Sequence, residues 1–329
     1  MSGADDPRPD GQSIAARGKE PALTRLAVVT PTYRPDLELF LRLHESVLRF
    51  APADVVHHAI VPARDVRLFS AIGSGRLTVT ATDELLPRRY LSTYAATRAI
   101  RDLPGLGGWP AVQAVNLRHP WPPVRGWILQ QVLKLAVAAA MDADVVLAVD
   151  SDVSFIRPVS AGLFQRNGTV RLYRRPGAVG EHMPDHLAWH DTARHLLGLP
   201  RSAATVADDY IAPMVALDPR LVRDLRDRVE SIAGRDWIEA MTGRLRFSEY
   251  ILYGTYVREL APAAARSEES AKSLCCSRWS SDPFGPGDVP RLVASLDADD
   301  IAVHVQSTSG ADPELRDLVA RAARDRLTR

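Results

Sequence analysis

Two aspartates separated by one residue, Asp150 and Asp152, are the strongest chemical signal in the sequence. They come directly after the apolar run VVLAV, which has the pattern of a buried strand. Ligands of open α/β sheets bind beyond the carboxyl ends of the strands. Mg²⁺ and Mn²⁺ prefer carboxylate and phosphate oxygens as ligands, so the pair predicts a divalent cation beside a phosphorylated ligand. The alternative is a polar strand exit in which Asp150 caps the following turn.

The first third of the chain has the patterning needed to build such a sheet. Leu26 to Thr30 is a continuous apolar run ending at Pro31, which is typical of a buried parallel strand. Residues 36–50 have helical spacing, with Asp36 as the expected N-cap. Residues 55–61 and 77–82 have strand patterns. This βαβ-like beginning predicts an α/β fold with a parallel sheet covered by helices.

The remaining elements are predicted less regularly. A helix with one apolar stripe is predicted over 126–141, followed by a strand over 144–149. The many Gly, Pro and Trp residues of 102–125 predict a loop before that helix. Asn167 and Gly168 predict a hairpin turn between 163–165 and 169–174. Further expected elements are helices at 185–197, 219–232, 235–242, 247–259 and 313–326, a strand at 301–305, and an ambiguous segment at 292–296.

Composition excludes several classes of protein. The 329 residues carry 41 Lys and Arg against 40 Asp and Glu, so a broad basic surface for nucleic acid is not expected. No apolar run is long enough for a membrane-spanning helix, and residues 1–22 lack a secretory signal and are expected to form a disordered lead-in. A cytoplasmic location is therefore predicted. The two cysteines, Cys275 and Cys276, are adjacent and build no disulfide framework.

Five segments in a fixed order carry a family resemblance: VVTPTYRPD, GWILQQVLKL, VVLAVDSDV, FSEYILYG and VHVQS. Together they resemble the GT-A class of nucleotide-sugar-dependent glycosyltransferases, and more closely a group of poorly characterised bacterial members. The resemblance implies a GT-A-like, Rossmann-type, mostly parallel sheet in one domain over 23–310. Residues 23–152 would bind the nucleotide sugar and 153–310 the acceptor, with a C-terminal helix over 311–329.

The resemblance also implies roles for individual residues. A base and ribose pocket is implied at Thr30, Pro31, Thr32, Tyr33 and Arg34. Residues expected around the diphosphate are Arg125, Gln131, Lys134, Asp150 and Ser151, where a cation would stabilise the leaving group. Mn²⁺ or Mg²⁺ would be held by Asp150, Asp152 and His304.

The candidate catalytic base is Glu249, which lies 97 residues after Asp152 (249 − 152), where inverting members commonly place this group. A carboxylate can take the proton from an acceptor hydroxyl. Asp208 and Asp209 compete for the role or could orient acceptor hydroxyls, and we select Asp209 as the second catalytic candidate. In a retaining enzyme no base is needed, and Glu249 would then bind a sugar.

Other side chains have weaker assignments. His182, His186 and His190 recur at i, i+4 spacing and could bind zinc, although Pro184 disrupts the helix that would align His182, which favours an acceptor-site or surface role. Aromatic residues often stack on sugar faces, and the candidates for this are Trp109, Trp121 and Trp279. No base that could activate Cys275 or Cys276 as a nucleophile is identifiable.

The sequence as a whole predicts a metal-dependent glycosyltransferase. It would move a sugar from a nucleoside diphosphate sugar to a hydroxyl-bearing acceptor, such as a small molecule, a natural product or a glycan precursor. Alternatives are a sugar nucleotidyltransferase, which normally has a glycine-rich loop where this chain has PTYRPD, and an inactive carbohydrate-binding protein. The sequence has neither a G-x-G-x-x-G nor a phosphate-binding P-loop motif. A homodimer, the donor and the acceptor all stay open.

Overall fold

A computed structural model of the chain describes residues 24–93, 112–265 and 268–328. The predicted lead-in over 1–22, Trp109 and residues 102–111 of the predicted loop lie outside the described residues. In the part of the chain that is described, no helix is both long and apolar enough to cross a bilayer.

The strands, in chain order, are β1 (Leu26–Pro31), β2 (His57–Val61), β3 (Leu77–Ala81), β4 (Tyr90–Ser92), β5 (Val112–Asn116), β6 (Val124–Arg125), β7 (Val145–Val149), β8 (Val153–Phe155), β9 (Gln165–Arg166), β10 (Thr169–Val170), β11 (Leu172–Tyr173), β12 (Arg175–Val179), β13 (Ala207–Asp209), β14 (Met214–Leu217), β15 (Glu269–Ser270), β16 (Cys275–Arg278) and β17 (Ala302–Val305). The α-helices described are α1 (Leu37–Phe50), α2 (Val66–Ser70), α3 (Thr82–Leu85), α4 (Gly126–Ala140), α5 (Pro184–Leu196), α6 (Pro219–Ala233), α7 (Trp237–Thr242), α8 (Glu249–Glu259), α9 (Val289–Ala294) and α10 (Pro313–Leu327).

The central sheet has the strand order β14-β7-β1-β2-β3. Its strands are parallel except β14, which runs antiparallel to β7. Strands β2 and β3 follow β1 in sequence and lie on one side of it, whereas β7 lies on the other side of β1. The carboxyl ends of β1 and β7 therefore border the position where the strand order reverses, which is the usual ligand site of such sheets.

Burial explains why β1 and β7 lie at the centre of the sheet. Alternate residues of a strand face opposite sides, and helices cover both sides here. On one side, Val146 and Ala148 pack with Val29 in the cluster that contains α4, α6 and α8. On the other side, Val145 and Leu147 pack with the cluster that contains α1. Continuous apolar runs such as VVLAV are stable only in this doubly covered position.

Two smaller sheets flank the central one. The order β4-β5-β6 forms a sheet next to the start of α4, and β16-β17-β8 forms a second sheet beside the Asp150–Asp152 loop. Helix α10 packs with α9 against this second sheet through an apolar cluster that includes Val303 and Val319. The C-terminal helix is therefore part of the packed fold.

The α/β fold class and the parallel sheet are confirmed. The Asn167–Gly168 turn is also confirmed, because both residues have positive φ between the antiparallel strands β9 and β10. Asp36 is the N-cap of α1, as expected, but its side chain makes no capping bond. One local prediction was wrong, because residues 161–163 form a 3₁₀ turn where a strand over 163–165 was expected. The segment near 292, which the sequence leaves ambiguous, is helix α9. Strand β14 was not predicted, because it has only four residues and is stabilised by pairing with β7, which is distant in sequence.

A buried histidine pair joins α1 to the sheet. The Nδ1 atoms of His44 and His57 are 3.1 Å apart, and His57 Nε2 is 3.0 Å from the Thr30 hydroxyl oxygen. Burial, with repulsion from His44 and His58, holds the pKa of His57 well below its usual 6.5. Burial and the nearby Arg76 lower the pKa of His44. The folded protein therefore holds this pair uncharged near neutral pH.

This pair should make the fold acid-sensitive. Below about pH 6.5 these histidines bind protons in the unfolded chain but stay uncharged in the folded protein. The free energy of unfolding therefore falls as the pH is lowered, by up to about 1.4 kcal/mol per pH unit for each histidine. His57→Asn should make that slope shallower, as measured by urea unfolding from about pH 7.5 to about pH 5. The matched control is His119→Gln, which replaces an exposed histidine and should leave the slope unchanged. Equal slopes for wild type and His57→Asn would contradict the prediction.

Candidate functional site

A buried ammonium group lies at the centre of the candidate site. Lys134, on α4, donates from Nζ to Asp150 Oδ1 at 2.9 Å and to the Tyr250 hydroxyl at 3.1 Å. The same Nζ lies 3.2 Å from Glu249 Oε1. An ammonium has three protons, and these three oxygens match that number. The contact joins α4, the end of β7 and the start of α8.

Charge balance explains how these groups tolerate burial. Burial by itself would lower the pKa of Lys134, but Asp150, Tyr250 and Glu249 outweigh it and raise the pKa well above its usual value. Burial raises the pKa of Glu249, and the ammonium offsets part of that rise. The first turn of α8 also favours a carboxylate at Glu249, since the N-terminus of a helix carries partial positive charge.

The start of α8 is held by side-chain hydrogen bonds. Ser248 is its N-cap and accepts from the Ile251 backbone N–H. Gln131 Oε1 accepts from the Glu249 backbone N–H at 2.9 Å. Gln131 and Lys134 are three residues apart on α4, so both reach the same neighbour. Gln131, which the resemblance assigned to the diphosphate, is buried and positions Glu249 instead of lining a cavity.

A cavity of about 510 Å³ opens beside this group, and we call it the large cavity. It contains four of the predicted site residues, and most of the remaining wall is aromatic. Its predicted polar residues are Lys134, Asp150, Asp209 and Glu249; its aromatic residues are Trp127, Tyr173, His186, Trp189, Tyr250 and Trp279. Polar groups that converge within an apolar wall are typical of small-molecule sites.

A second cavity of about 300 Å³, the small cavity, lies beyond the carboxyl ends of β1, β2 and β3. Three of the residues predicted for the nucleotide pocket, Pro31, Thr32 and Tyr33, line it. Trp127 lines both cavities and therefore lies at the boundary between them. The β1 loop and the β7 loop thus face two neighbouring spaces at the position where the strand order reverses.

Asp152 and His304 meet on the other side of the β7 loop. Asp152 Oδ2 lies 3.4 Å from His304 Nε2 and accepts from the Ser307 backbone N–H at 2.7 Å. Burial opposes ionisation of Asp152, but the hydrogen bonds from His304 and Ser307 and the charge of Arg316 lower its pKa overall. Arg316, on α10, donates to the Val305 and Gln306 carbonyls and so holds the chain that presents Ser307.

This pair is a partial fit to a divalent cation. Adjacent ligands of an octahedral Mg²⁺ are about 3 Å apart, close to the separation of the Asp152 and His304 ligand atoms. His304 Nδ1 is buried and has no hydrogen-bond partner among the described residues. The third expected ligand, Asp150, is paired with Lys134. Accordingly, no set of three or more His, Cys, Asp or Glu side chains arranged to hold a metal is found among the described residues.

Several predicted residues lie away from both cavities. Thr30 is buried and contacts His57. Arg34 is exposed, with its backbone N–H bonded to Asp65, and Arg125 is exposed at the start of α4. Ser151 is buried next to Asp36 and faces a water-sized space together with Asp152.

The two candidate aspartates of β13 have separate environments. Asp208 is neutralised by Arg174 and Arg258, which both lie 2.7 Å from Oδ2. Asp209 lines the large cavity, and its Oδ1 accepts from the Ile211 backbone N–H. Neighbouring residues of a strand point to opposite faces, so only one of the pair can face the cavity.

The predicted histidine cluster and the two cysteines have different surroundings in the fold. Helix α5 begins at Pro184, so His182 lies outside the helix, as expected. His190 contacts the Asp208 carbonyl, whereas His186 packs on Trp189 in the wall of the large cavity. Cys275 and Cys276 are buried, and burial raises the pKa of both thiols. Each thiol therefore stays protonated and packs in the apolar interior.

Sequence reasoning missed several residues of the wall. Trp127 and Trp189 pack with ring centroids 5.0 Å apart, although one begins α4 and the other lies on α5. The sequence predicted no role for Tyr250, although it lies within the FSEYILYG segment. The sequence offered a signal for two of them, because Trp127 lies one helical turn before Gln131 and Tyr250 directly follows Glu249. Of the three tryptophans named for stacking, Trp279 lines the large cavity, whereas Trp121 projects into solvent.

The buried ammonium should contribute strongly to stability. Lys134→Met leaves the Asp150 and Glu249 carboxylates together without a counter-ion, and we expect a loss of about 3–5 kcal/mol in the free energy of unfolding. Adding Glu249→Gln to that variant should restore part of the loss, because it removes one of the two charges. Urea unfolding of the single and double variants measures both effects.

A surface pair provides the control. Lys272 pairs with Asp299 at 2.6 Å, and more than half of each side chain is exposed. Lys272→Met should cost about 0–1 kcal/mol, because solvent screens such pairs. An equally small cost for Lys134→Met would mean that the buried cluster does not stabilise the fold.

The fold and the site define an α/β protein with a mostly parallel sheet and an acid–lysine cluster in the wall of a cavity. Residues 26–271 match the model of a family of unknown function, DUF6492. Because the match covers about three quarters of the chain, the protein belongs to this family. A comparison with curated proteins found no match.

Solved structures with a related chain path include three glycosyltransferases. Mouse xyloside xylosyltransferase 1 in its apo form is 11% identical, with a TM-score of 0.43, covering 88% of this chain and 99% of its own. The galactosyltransferase LgtC, with donor and acceptor sugar analogues, is 12% identical, with a TM-score of 0.42, covering 90% of this chain and 95% of its own. GlyE from Streptococcus pneumoniae TIGR4 is 10% identical, with a TM-score of 0.42, covering 91% of this chain and 60% of its own.

Proposed function

We propose that the protein is a glycosyltransferase that moves a sugar from a nucleoside diphosphate sugar to a hydroxyl-bearing acceptor. The observation that carries this proposal is the Lys134 cluster with Asp150 and Glu249 in the wall of the large cavity, which meets the small cavity at Trp127. The small cavity can hold a nucleotide and the large cavity, with its acids and its lysine, a sugar acceptor. The resemblance of the PTYRPD and VDSDV segments to GT-A enzymes supports the same assignment.

The nucleotide would bind in the small cavity. Its wall combines apolar residues with the polar side chains of Thr32, Tyr33, Asp83 and Gln130. A flat base can pack between Tyr33 and the apolar wall, and Asp83 can accept hydrogen bonds from ribose hydroxyls, as acids do in other α/β sheets. This orientation directs the diphosphate towards the β7 loop and Lys134.

Transfer would take place in the large cavity. In an inverting reaction the acceptor oxygen forms a bond to the anomeric carbon, its proton passes to a carboxylate, and the bond from that carbon to the diphosphate breaks. Glu249 and Asp209 both line the cavity. Burial raises the pKa of Glu249, which makes its ionised carboxylate a stronger base than an exposed one, so we assign the proton to it. The Lys134 ammonium stabilises negative charge as the diphosphate leaves.

A divalent cation, Mn²⁺ or Mg²⁺, is part of the proposal. Asp152 and His304 would hold it, and Asp150, the third predicted ligand, lies at the start of the same loop but is paired with Lys134. Such an ion neutralises charge on the diphosphate oxygens.

The base assignment can be tested by substitution. Glu249→Gln keeps the shape of the side chain but cannot take a proton, so kcat should fall about 10²- to 10⁴-fold with little change in the donor KM. Asp209→Asn should have the smaller effect on kcat. Sugar transfer is measured with whichever nucleotide sugar gives the largest rise in Tm in a thermal-shift panel with Mn²⁺.

Glu259→Gln, at the exposed end of the same helix, is the matched control and should leave kcat unchanged. If Asp209→Asn lost more activity than Glu249→Gln, the base would be Asp209. If neither variant lost activity, the inverting mechanism would be wrong.

Metal dependence has its own test. Asp152→Asn should lower the affinity for UDP or GDP measured by calorimetry in the presence of Mn²⁺, because a ligand of the ion is lost. In the absence of Mn²⁺ the variant and the wild type should bind the nucleotide alike. Full transfer activity in EDTA would contradict the metal mechanism. Absence of any Mn²⁺-dependent nucleotide binding would instead favour an inactive carbohydrate-binding protein.

A further inference from the structure

A glycine in the interior of α8, Gly254, lies directly against the ring of Tyr210. Glycine is among the least favourable residues inside a helix. The φ of Gly254 is not positive, so the backbone does not require a glycine there. A β-carbon at position 254 would lie 2.5 Å from Tyr210 Cγ and 2.6 Å from Cε1, whereas carbon atoms in contact are normally about 3.5–4.0 Å apart. The close approach of the ring is therefore what requires the glycine.

Tyr210 has little freedom to move away from the helix. It directly follows β13 and is only 4% exposed. Its Cγ is bonded to Cβ, so this atom moves only if χ1 rotates or if the backbone shifts. Rotation of χ1 would drive the ring into the close-packed interior around it. We therefore expect a larger residue at position 254 to displace the backbone of Tyr210, and with it Asp209, the residue before it.

Asp208 also binds the same stretch of chain to α8. Its Oδ2 accepts from Arg258 Nη1 at 2.7 Å and from the Tyr210 hydroxyl at 3.4 Å. Gly254 and Arg258 are four residues apart, so they lie on one face of the helix, about 6 Å apart along its axis. Asp208 and Tyr210 are two residues apart, and two residues of an extended chain span about 6.6 Å. Because the two spacings match, both side chains reach the helix.

Asp209 lies between these two anchored residues and lines the large cavity. Its Oδ1 accepts from the Ile211 backbone N–H at 3.0 Å, which fixes the direction of the carboxylate. Glu249 and Tyr250, at the start of α8, line the same cavity. One helix therefore carries Glu249 directly and holds Asp209 in place through Tyr210.

We propose that Gly254 is a positioning residue that fixes Asp209 in the wall of the large cavity. Gly254 itself lines neither cavity, and it acts by letting Tyr210 lie against α8. A carboxylate in this wall can accept hydrogen bonds from the hydroxyls of an acceptor, so its position selects the orientation in which the acceptor binds. That role in acceptor binding rests on the proposed function, whereas the placement of Asp209 by Gly254 does not.

Thermal unfolding tests the contact between Gly254 and Tyr210. Alanine is more favourable than glycine inside a helix, so Gly254→Ala would raise the Tm if the ring did not interfere. We expect the Tm to fall instead, by about 3–10 °C, because the added methyl group overpacks the interior. In the Tyr210→Ala background, where the ring is absent, the same substitution should raise the Tm.

A neighbouring histidine reports the position of Asp209 without any substrate. His186 lines the large cavity, where burial lowers its pKa and the charges of Asp209 and Asp185 offset part of that shift. Asp209→Asn should therefore lower the pKa of His186 further. Gly254→Ala should also move this pKa away from the wild-type value, because the carboxylate is displaced. The pKa is measured by NMR titration of the histidine ring signals.

Donor binding and transfer distinguish this role from general damage. Neither β13 nor Gly254 lines the small cavity, so Gly254→Ala should bind UDP or GDP with Mn²⁺ as the wild type does in calorimetry. Its kcat for transfer, in the assay used for Glu249→Gln, should fall at least about tenfold, since a misplacement of about 1 Å can cost about 10²-fold in rate. If the wild type shows neither nucleotide binding nor transfer, the proposed function is wrong, and the Tm and the pKa of His186 still decide the role of Gly254.

The matched control is Gly162→Ala. The φ of Gly162 is not positive, and the described residues leave open space around a β-carbon at that position. Gly162 also lines neither cavity. The control should therefore leave the pKa of His186, the nucleotide affinity and the kcat for transfer at their wild-type values.

Three results would overturn the proposal. The first is a Tm of Gly254→Ala equal to or above that of the wild type. The second is a pKa of His186 that stays unchanged in Gly254→Ala or in Asp209→Asn. The third is a loss of nucleotide affinity in Gly254→Ala as large as its loss of transfer, which would make Gly254 a residue of general structural importance. The first two need only single variants, so they hold even if Tyr210→Ala does not fold.

Discussion

The candidate site depends on a single buried charge, the ammonium of Lys134. An isolated charge inside a protein is very costly, so Asp150, Glu249 and the Tyr250 hydroxyl must stay within hydrogen-bond reach of it. Those partners come from the end of β7 and the start of α8, whereas Lys134 comes from the middle of α4. The electrostatic requirement therefore keeps three distant segments in one arrangement.

The sheet topology gives that arrangement its surroundings. Strands β1 and β7 are neighbours although more than one hundred residues separate them in the chain, and their carboxyl ends border the position where strand order reverses. The small cavity extends from β1 towards β3, and the large cavity extends from β7 towards α5 and α8. Trp127 belongs to both walls, so a ligand that spans the two spaces must pass this ring.

The C-terminal segment completes the other side of the β7 loop. The family match ends at residue 271, yet His304 and Ser307, which lie beyond it, contact Asp152. Arg316 holds their backbone through the carbonyls of Val305 and Gln306. Helix α10 thus acts on the aspartate through a buried guanidinium that no local sequence pattern reveals.

The sequence by itself determined the elements whose patterns are local. The apolar runs of β1 and β7, the stripe of α4, the Asn167–Gly168 turn and the position of Asp150 beyond its strand all follow from short-range periodicity and turn chemistry. Only the tertiary structure decided how the polar residues divide their roles. Gln131 positions Glu249, Asp209 faces the large cavity while Asp208 is neutralised, and Thr30 contacts a buried histidine. These outcomes depend on which oxygens and nitrogens meet across the fold, because the cost of burying a polar group is set by its spatial partners and not by its neighbours in sequence.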